Sequence, residues 1–156
     1  MLRLINANDS RSINLIFTDQ KGNIRKSPIK YYFPEGELVE HKEFSLQFEN
    51  YKPVKIDIEL YKSTESLQTV GEEQESGLLI YDDKESVYDL TFFGLETLPG
   101  ADRFYGFMKL IGAREIILDK INNKKSPEEI LTDTRDGFNV HHEFYKKIEL
   151  MIRDWL

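Results

Sequence analysis

The chain has 156 residues, a net charge of -7, 40% hydrophobic and 31% charged residues, and no cysteine. That balance suits one compact domain, or two small joined halves, and excludes a disordered chain, a disulfide framework and thiolate chemistry. The excess of acids argues against phosphate-backbone binding and no apolar run reaches membrane-spanning length, so neither nucleic acid nor membrane is an expected partner and a cytoplasmic protein is expected.

Leu2, Leu4 and Ile5 are strand material directly after Met1, which suggests a piece of a longer polypeptide. INLIFTD (13–19) alternates Ile13, Leu15 and Phe17 with Asn14 and Thr18, and turn residues at 20–23 lead into NIRKSPIKYYF. A hairpin is expected there, with Pro28 at an edge or bulge because it has no amide hydrogen to donate. After a turn at PEGE, FSLQF sets Phe44, Leu46 and Phe48 on one face. VKIDIELY then sets Val54, Ile56, Ile58 and Leu60 on one face and Lys55, Asp57 and Glu59 on the other, the pattern of a half-buried strand. STESLQTVGEEQESG (63–77) is acidic, has few apolar anchors and reads as a linker or long exposed loop. It divides the chain into a β-rich half over 1–70 and a mixed half over 71–156, in the same domain or tightly joined.

In the second half, GLLIYDD is a continuous apolar run suited to a strand covered on both faces. VYDLTFF is a second strand and RFYGFMKLIG a third, with Pro99 and Gly100 turning the chain between them. AREIILDKINN carries Ile116, Ile117 and Ile121 at helical spacing, and SPEE (126–129) reads as a capping box with Ser126 as N-cap and Pro127 in the first turn. From about His141, the residues Phe144, Ile148, Met151 and Trp155 recur at intervals of four, three and four, flanked by Tyr145, Ile152 and Leu156. That stripe is suited to burial over a sheet. The expected fold class is α+β: a β-rich first half, then a mixed sheet with two to three helices on one face.

Chemical motifs are few. There is no P-loop, G-x-S-x-G, H-E-x-x-H, D-x-G-x-G or dinucleotide fingerprint, so an enzyme acting in isolation is not expected. Adjacent His141 and His142 diverge by about 100° on a helix and read as a surface pair. His41, in a charged segment, reads the same way, and Asp82, Asp83, Asp89 and Glu96 read as solvated carboxylates, with no metal site expected. Arg135, in ILTDTRDGFN, has two readings. It pairs with Asp133, Asp136 or another surface acid, or it joins Gly137 and the start of the following helix in a pocket suited to an anion such as a phosphate.

ILTDTRDGFNVHHEFYKKIELMIRDWL resembles the end of the middle, or transducer, domain of GHKL-type ATPases, the superfamily of gyrase, the large heat-shock chaperones, histidine kinases and MutL. In the chaperone branch a Ser-Arg-Glu or similar triplet precedes such a helix, and here Thr134, Arg135 and Asp136 occupy the matching place. DLTFFGLETLPGADRFYGFMKLIG is similar to the sheet of that domain in bacterial histidine-kinase-like ATP-binding proteins. The resemblance covers 77–156 and implies a transducer-like, ribosomal-protein-S-five-like second half. It implies that Arg135 reaches the γ-phosphate of ATP held by a preceding domain, with Lys124 and Lys125 as further phosphate contacts. ATP and magnesium are implied for that N-terminal nucleotide-binding domain of the same polypeptide, no cofactor is implied for this chain, and homodimerisation is a further option. The nucleotide-binding motifs themselves are missing, which agrees with a fragment of a larger ATPase. The alternative is a free-standing α+β protein-interaction module with no nucleotide role, whose exposed edge strands, such as VKIDIELY, bind a partner by strand addition.

Overall fold

A computed structural model describes residues 13–29, 33–71, 74–123, 129–132 and 137–156. The strand expected at Leu2 and the capping box at Ser126 lie outside those residues. The chain divides into two compact units, Met1–Phe33 and Pro34–Leu156.

In the first unit the alternation of INLIFT and the turn that follows produce the expected hairpin. Strands β1 (Ile13–Thr18) and β2 (Ile24–Ile29) pair antiparallel, with Thr18 opposite Ile24 and Asn14 opposite Pro28. Asp19 closes the turn, its Oδ1 accepting from the amides of Lys21 at 2.8 Å and Asn23 at 2.9 Å. Both strands of a two-stranded ribbon are edges, which is why Pro28 is tolerated.

The second unit is built on one five-stranded sheet. Its strands are β3 (Gly36–Leu46), β4 (Val54–Ser63), β5 (Gly77–Asp82), β6 (Val87–Thr91) and β7 (Phe104–Ile111), in the spatial order β3-β4-β7-β5-β6. Only β5 and β7 pair in parallel, so the sheet is mixed and passes without a break from β4 into the strands that follow residue 70. Helices α1 (Ala113–Asn123) and α2 (Glu143–Trp155) complete an α+β fold. The inward set Val54, Ile56, Ile58 and Leu60 of β4 shares one core with Met108 and Leu110 of β7, Ile116 and Ile117 of α1, and Phe144 and Ile148 of α2. On α2 the buried line is Phe144, Tyr145, Ile148 and Ile152; Met151 and Trp155 flank it half-buried, and Leu156 is exposed. Among the described residues no helix is long and apolar enough to cross a membrane.

Two local expectations change. VKIDIELY, read as an exposed edge for strand addition, lies inside the sheet, with β3 on one side and β7 on the other. Its alternation reports which faces are wet and says nothing about its edges; among the described residues the edge strands of this sheet are β3 and β6. The 63–77 stretch is a loop tied down at several points. Leu67 is buried and its amide donates to Asp102 O at 2.7 Å, while the amides of Glu75 and Ser76 donate to Gln68 O.

Interior β7 has a steric requirement at Gly106, where a Cβ would stand 2.4 Å from Glu59 O and 2.7 Å from Leu78 Cδ2. The backbone of β4 cannot retreat without breaking its own pairing. Gly106→Ala is therefore expected to cost about 2 to 3 kcal/mol, the upper part of the range for overpacked sites, read as a lower urea midpoint at unchanged slope.

Candidate functional site

The segment ILTDTRDGFN has apolar ends and a polar middle, and the structure anchors the ends. Ile130, Leu131 and Phe138 are buried. Leu131 and Phe138 form an antiparallel bridge, flanked by the Thr132 amide donating to Gly137 O at 3.0 Å and the Asn139 amide donating to Ile130 O at 3.1 Å. The chain thus leaves at Thr132 and returns at Gly137 through hydrogen-bonded neighbours. Residues 133–136, with Arg135 among them, and 124–128, with Lys124 and Lys125, lie outside the described residues.

Asp89 of β6 fastens this base to the sheet. Its Oδ2 accepts from the Phe138 amide at 3.1 Å and its Oδ1 from the Leu90 amide at 2.8 Å. Asp89 also crowds Gly137: a Cβ there would sit 3.2 Å from Asp89 Oδ2, a tight contact that the carboxylate would have to shift to relieve. The Phe138 ring packs against Tyr88, Phe144 and Tyr145, at centroid distances of 5.5, 6.1 and 6.2 Å. Asp89→Ala would leave the Phe138 amide without this acceptor. A loss of about 1 to 3 kcal/mol is expected, with faster hydrogen exchange at Phe138 as the local readout.

Asn139 links the base to α2. Its side-chain Nδ2 donates to Glu129 O at 2.9 Å, its Oδ1 accepts from the His141 amide at 3.0 Å, and its carbonyl accepts from the His142 amide at 3.0 Å. The histidine pair then departs from the surface reading. His141 is exposed, but His142 is buried and is the N-cap of α2, its Nδ1 accepting from the Phe144 amide at 3.1 Å. An acceptor Nδ1 is an unprotonated nitrogen, so the ring serves the helix in the way a Ser or Asp cap does. One of the amides that an anion pocket would draw on is thereby already engaged.

Of the acids read as solvated, Asp83 is exposed as expected, while Asp82, Asp89 and Glu96 are placed differently. Asp82 is fully buried; its Oδ1 accepts from the amides of Lys84 and Ser86 at 2.9 and 2.8 Å, and its Oδ2 from Tyr88 Oη at 2.8 Å and Arg114 Nη1 at 3.0 Å. Arg114 Nη1 also donates to Ser86 Oγ at 2.7 Å, which ties the start of α1 to the turn between β5 and β6. Burial opposes the Asp82 charge, but the Ser86 amide, Tyr88, Arg114 and the Lys84 amide together hold the carboxyl below its ordinary range. Glu96 Oε1 accepts from Thr91 Oγ1 at 2.7 Å and from the Phe92 amide at 2.6 Å. These three carboxylates, Asp82, Asp89 and Glu96, hold turns and loops to the sheet.

Sequence reasoning missed Asp89 and His142. Asp89 has no local signal because its partner is 49 residues away, and histidine is not among the favoured caps. Asp82 did carry a signal in DDKES, an aspartate followed by the amides it captures two and four residues later. Comparison of the chain with protein-family models, curated proteins and solved structures returns no match.

Proposed function

We propose that this chain is a non-catalytic, transducer-like domain of a larger GHKL-type ATPase, coupling nucleotide state to domain arrangement and offering Arg135 to a phosphate of ATP held by another domain. The observation that supports this reading is the anchored base at 130–132 and 137–139. Two chain ends bonded to each other, and through Asp89 to β6, give residues 130–132 and 137–139 a fixed position on the sheet. A guanidinium delivered from such a base to a phosphoryl group loses less entropy on binding than one on a free loop. Its planar, permanently charged fork matches phosphate oxygens. Lys124 and Lys125 are secondary candidates for the same anion.

The nucleotide and its magnesium belong, on this reading, to the N-terminal domain of the same polypeptide. Asp82, Asp89 and Glu96 are engaged by amides, hydroxyls and Arg114, which makes them poor magnesium ligands. The test is ATP turnover by the polypeptide that includes a nucleotide-binding domain, with and without Arg135→Ala. A loss of turnover without loss of folding supports the role; unchanged turnover, or a natural reading frame lacking any such domain, overturns it.

A second reading rests on β3. Among the described residues this eleven-residue strand pairs on one side only, with β4, and Leu38 and Val39 are exposed, the geometry of an interaction module that accepts a partner strand. Under that reading Arg135→Ala leaves partner binding intact and Val39→Pro abolishes it.

A further inference from the structure

We propose that His41, Glu43 and Asp57, on the outward face of β3 and β4, form a binding site for a borderline divalent cation, Zn2+ being the best match to the donors. The proposal is independent of the ATPase reading. Its basis is register. Glu43 lies directly opposite Asp57, and His41 lies opposite Glu59, so residues two apart on each strand bring their side chains to one patch. Inward-facing Ile56 and Ile58 are fully buried on the other side of the same strand, which fixes the outward direction of Asp57. β4 is paired on both edges, which holds the backbone under Asp57 in place.

One donor atom from each of His41, Glu43 and Asp57 lies within 4.8 Å of the others, and His41 Nε2 is 2.6 Å from Asp57 Oδ1. Zinc bonds to nitrogen and carboxylate oxygen are about 2.0 to 2.2 Å, so tetrahedral ligands stand about 3.4 Å apart. Binding needs the His41–Asp57 contact to open and the three donors, which lie within 4.8 Å of one another, to settle at that spacing. Both side chains have room for it, with 49% and 31% of their surfaces exposed. One imidazole nitrogen and two carboxylate oxygens, with water in the fourth position, suit zinc; magnesium and calcium prefer oxygen-only shells.

The surrounding charges set the strength. Glu59, across from His41, adds negative charge to the patch while its Oε2 accepts from Tyr61 Oη at 2.8 Å. Lys55 Nζ holds Glu43 Oε1 at 2.7 Å and competes directly with a cation, and Lys109 lies opposite Asp57 on β7. Removing Lys55 should therefore strengthen binding, whereas a patch of solvated ion pairs would show no saturable site to strengthen.

The experiment is calorimetric titration of the full chain with ZnCl2. Saturable one-to-one binding is expected, weakened at least roughly tenfold in His41→Ala and Asp57→Asn, the least that loss of even an outer partner of a metal site produces. Lys55→Gln should tighten it, and His141→Ala should leave it unchanged. The exposed positions allow each variant to be matched to the parent by its melting temperature. Absence of saturable binding, binding that survives His41→Ala, or binding lost in His141→Ala would each overturn the proposal.

Discussion

Arg135→Ala is expected to lower ATP turnover by about 10³-fold in a polypeptide that carries the nucleotide-binding domain, the lower end of what a phosphate-directed arginine supplies. That factor corresponds to about 4 kcal/mol of transition-state stabilisation. Under the proposed role the cation acts on charge that develops as the phosphoryl group transfers, so kcat should fall while KM changes little. Arg135→Lys should recover only part of the loss, since an ammonium supplies charge without the fork. The melting temperature of the variant should match that of the parent. Asp89→Ala gives an intermediate phenotype, because it loosens the base through the Phe138 amide without removing the cation. Turnover equal to the parent in Arg135→Ala contradicts the proposed role directly.

Asp82→Ala is expected to destabilise the second unit by about 3 kcal/mol, the scale for breaking a buried charge-assisted network. The side chain is fully buried, and its removal takes the acceptor from two turn amides, from Tyr88 Oη and from Arg114. Arg114 is partly exposed and can turn to water, so the loss falls mainly on Tyr88 and the turn. A pH dependence follows from the same contacts. The folded-state carboxyl titrates below its unfolded value, so its contribution is fully present above the unfolded pKa, about 3.9, and is lost as pH falls through the folded value. Urea midpoints measured between pH 7 and pH 2 should drop more steeply for the parent than for Asp82→Asn. Parallel curves would show that the Asp82 charge does not contribute.

How much of this was legible depended on the distance over which the decisive contact acts. The first hairpin, the half-buried pattern of VKIDIELY, the covered strand GLLIYDD and the stripe of the last helix are written in alternation or helical spacing, and all appear in the structure. Strand order is not written there, because alternation fixes the face of a residue but not the neighbour along the sheet. That is why β4 could be taken for an edge. The cap at His142 was hidden by residue type, and Asp89 by sequence separation. His41, Glu43 and Asp57 look unrelated until the register of β3 on β4 brings them together. The apolar ends of ILTDTRDGFN, by contrast, are buried as their composition indicates.

The position of β7 constrains how the sheet can be assembled. Among the described residues it is the last strand in chain order, yet it lies between β4 and β5. Until residue 111 has been made, the β3–β4 and β5–β6 hairpins have no common neighbour. Each leaves an edge and an apolar face uncovered, the kind of surface that associates wrongly when it is long-lived. The sheet must close in one late, long-range step, which makes its folding slow relative to a meander of the same length and leaves the nascent chain in greatest need of protection just before that strand emerges.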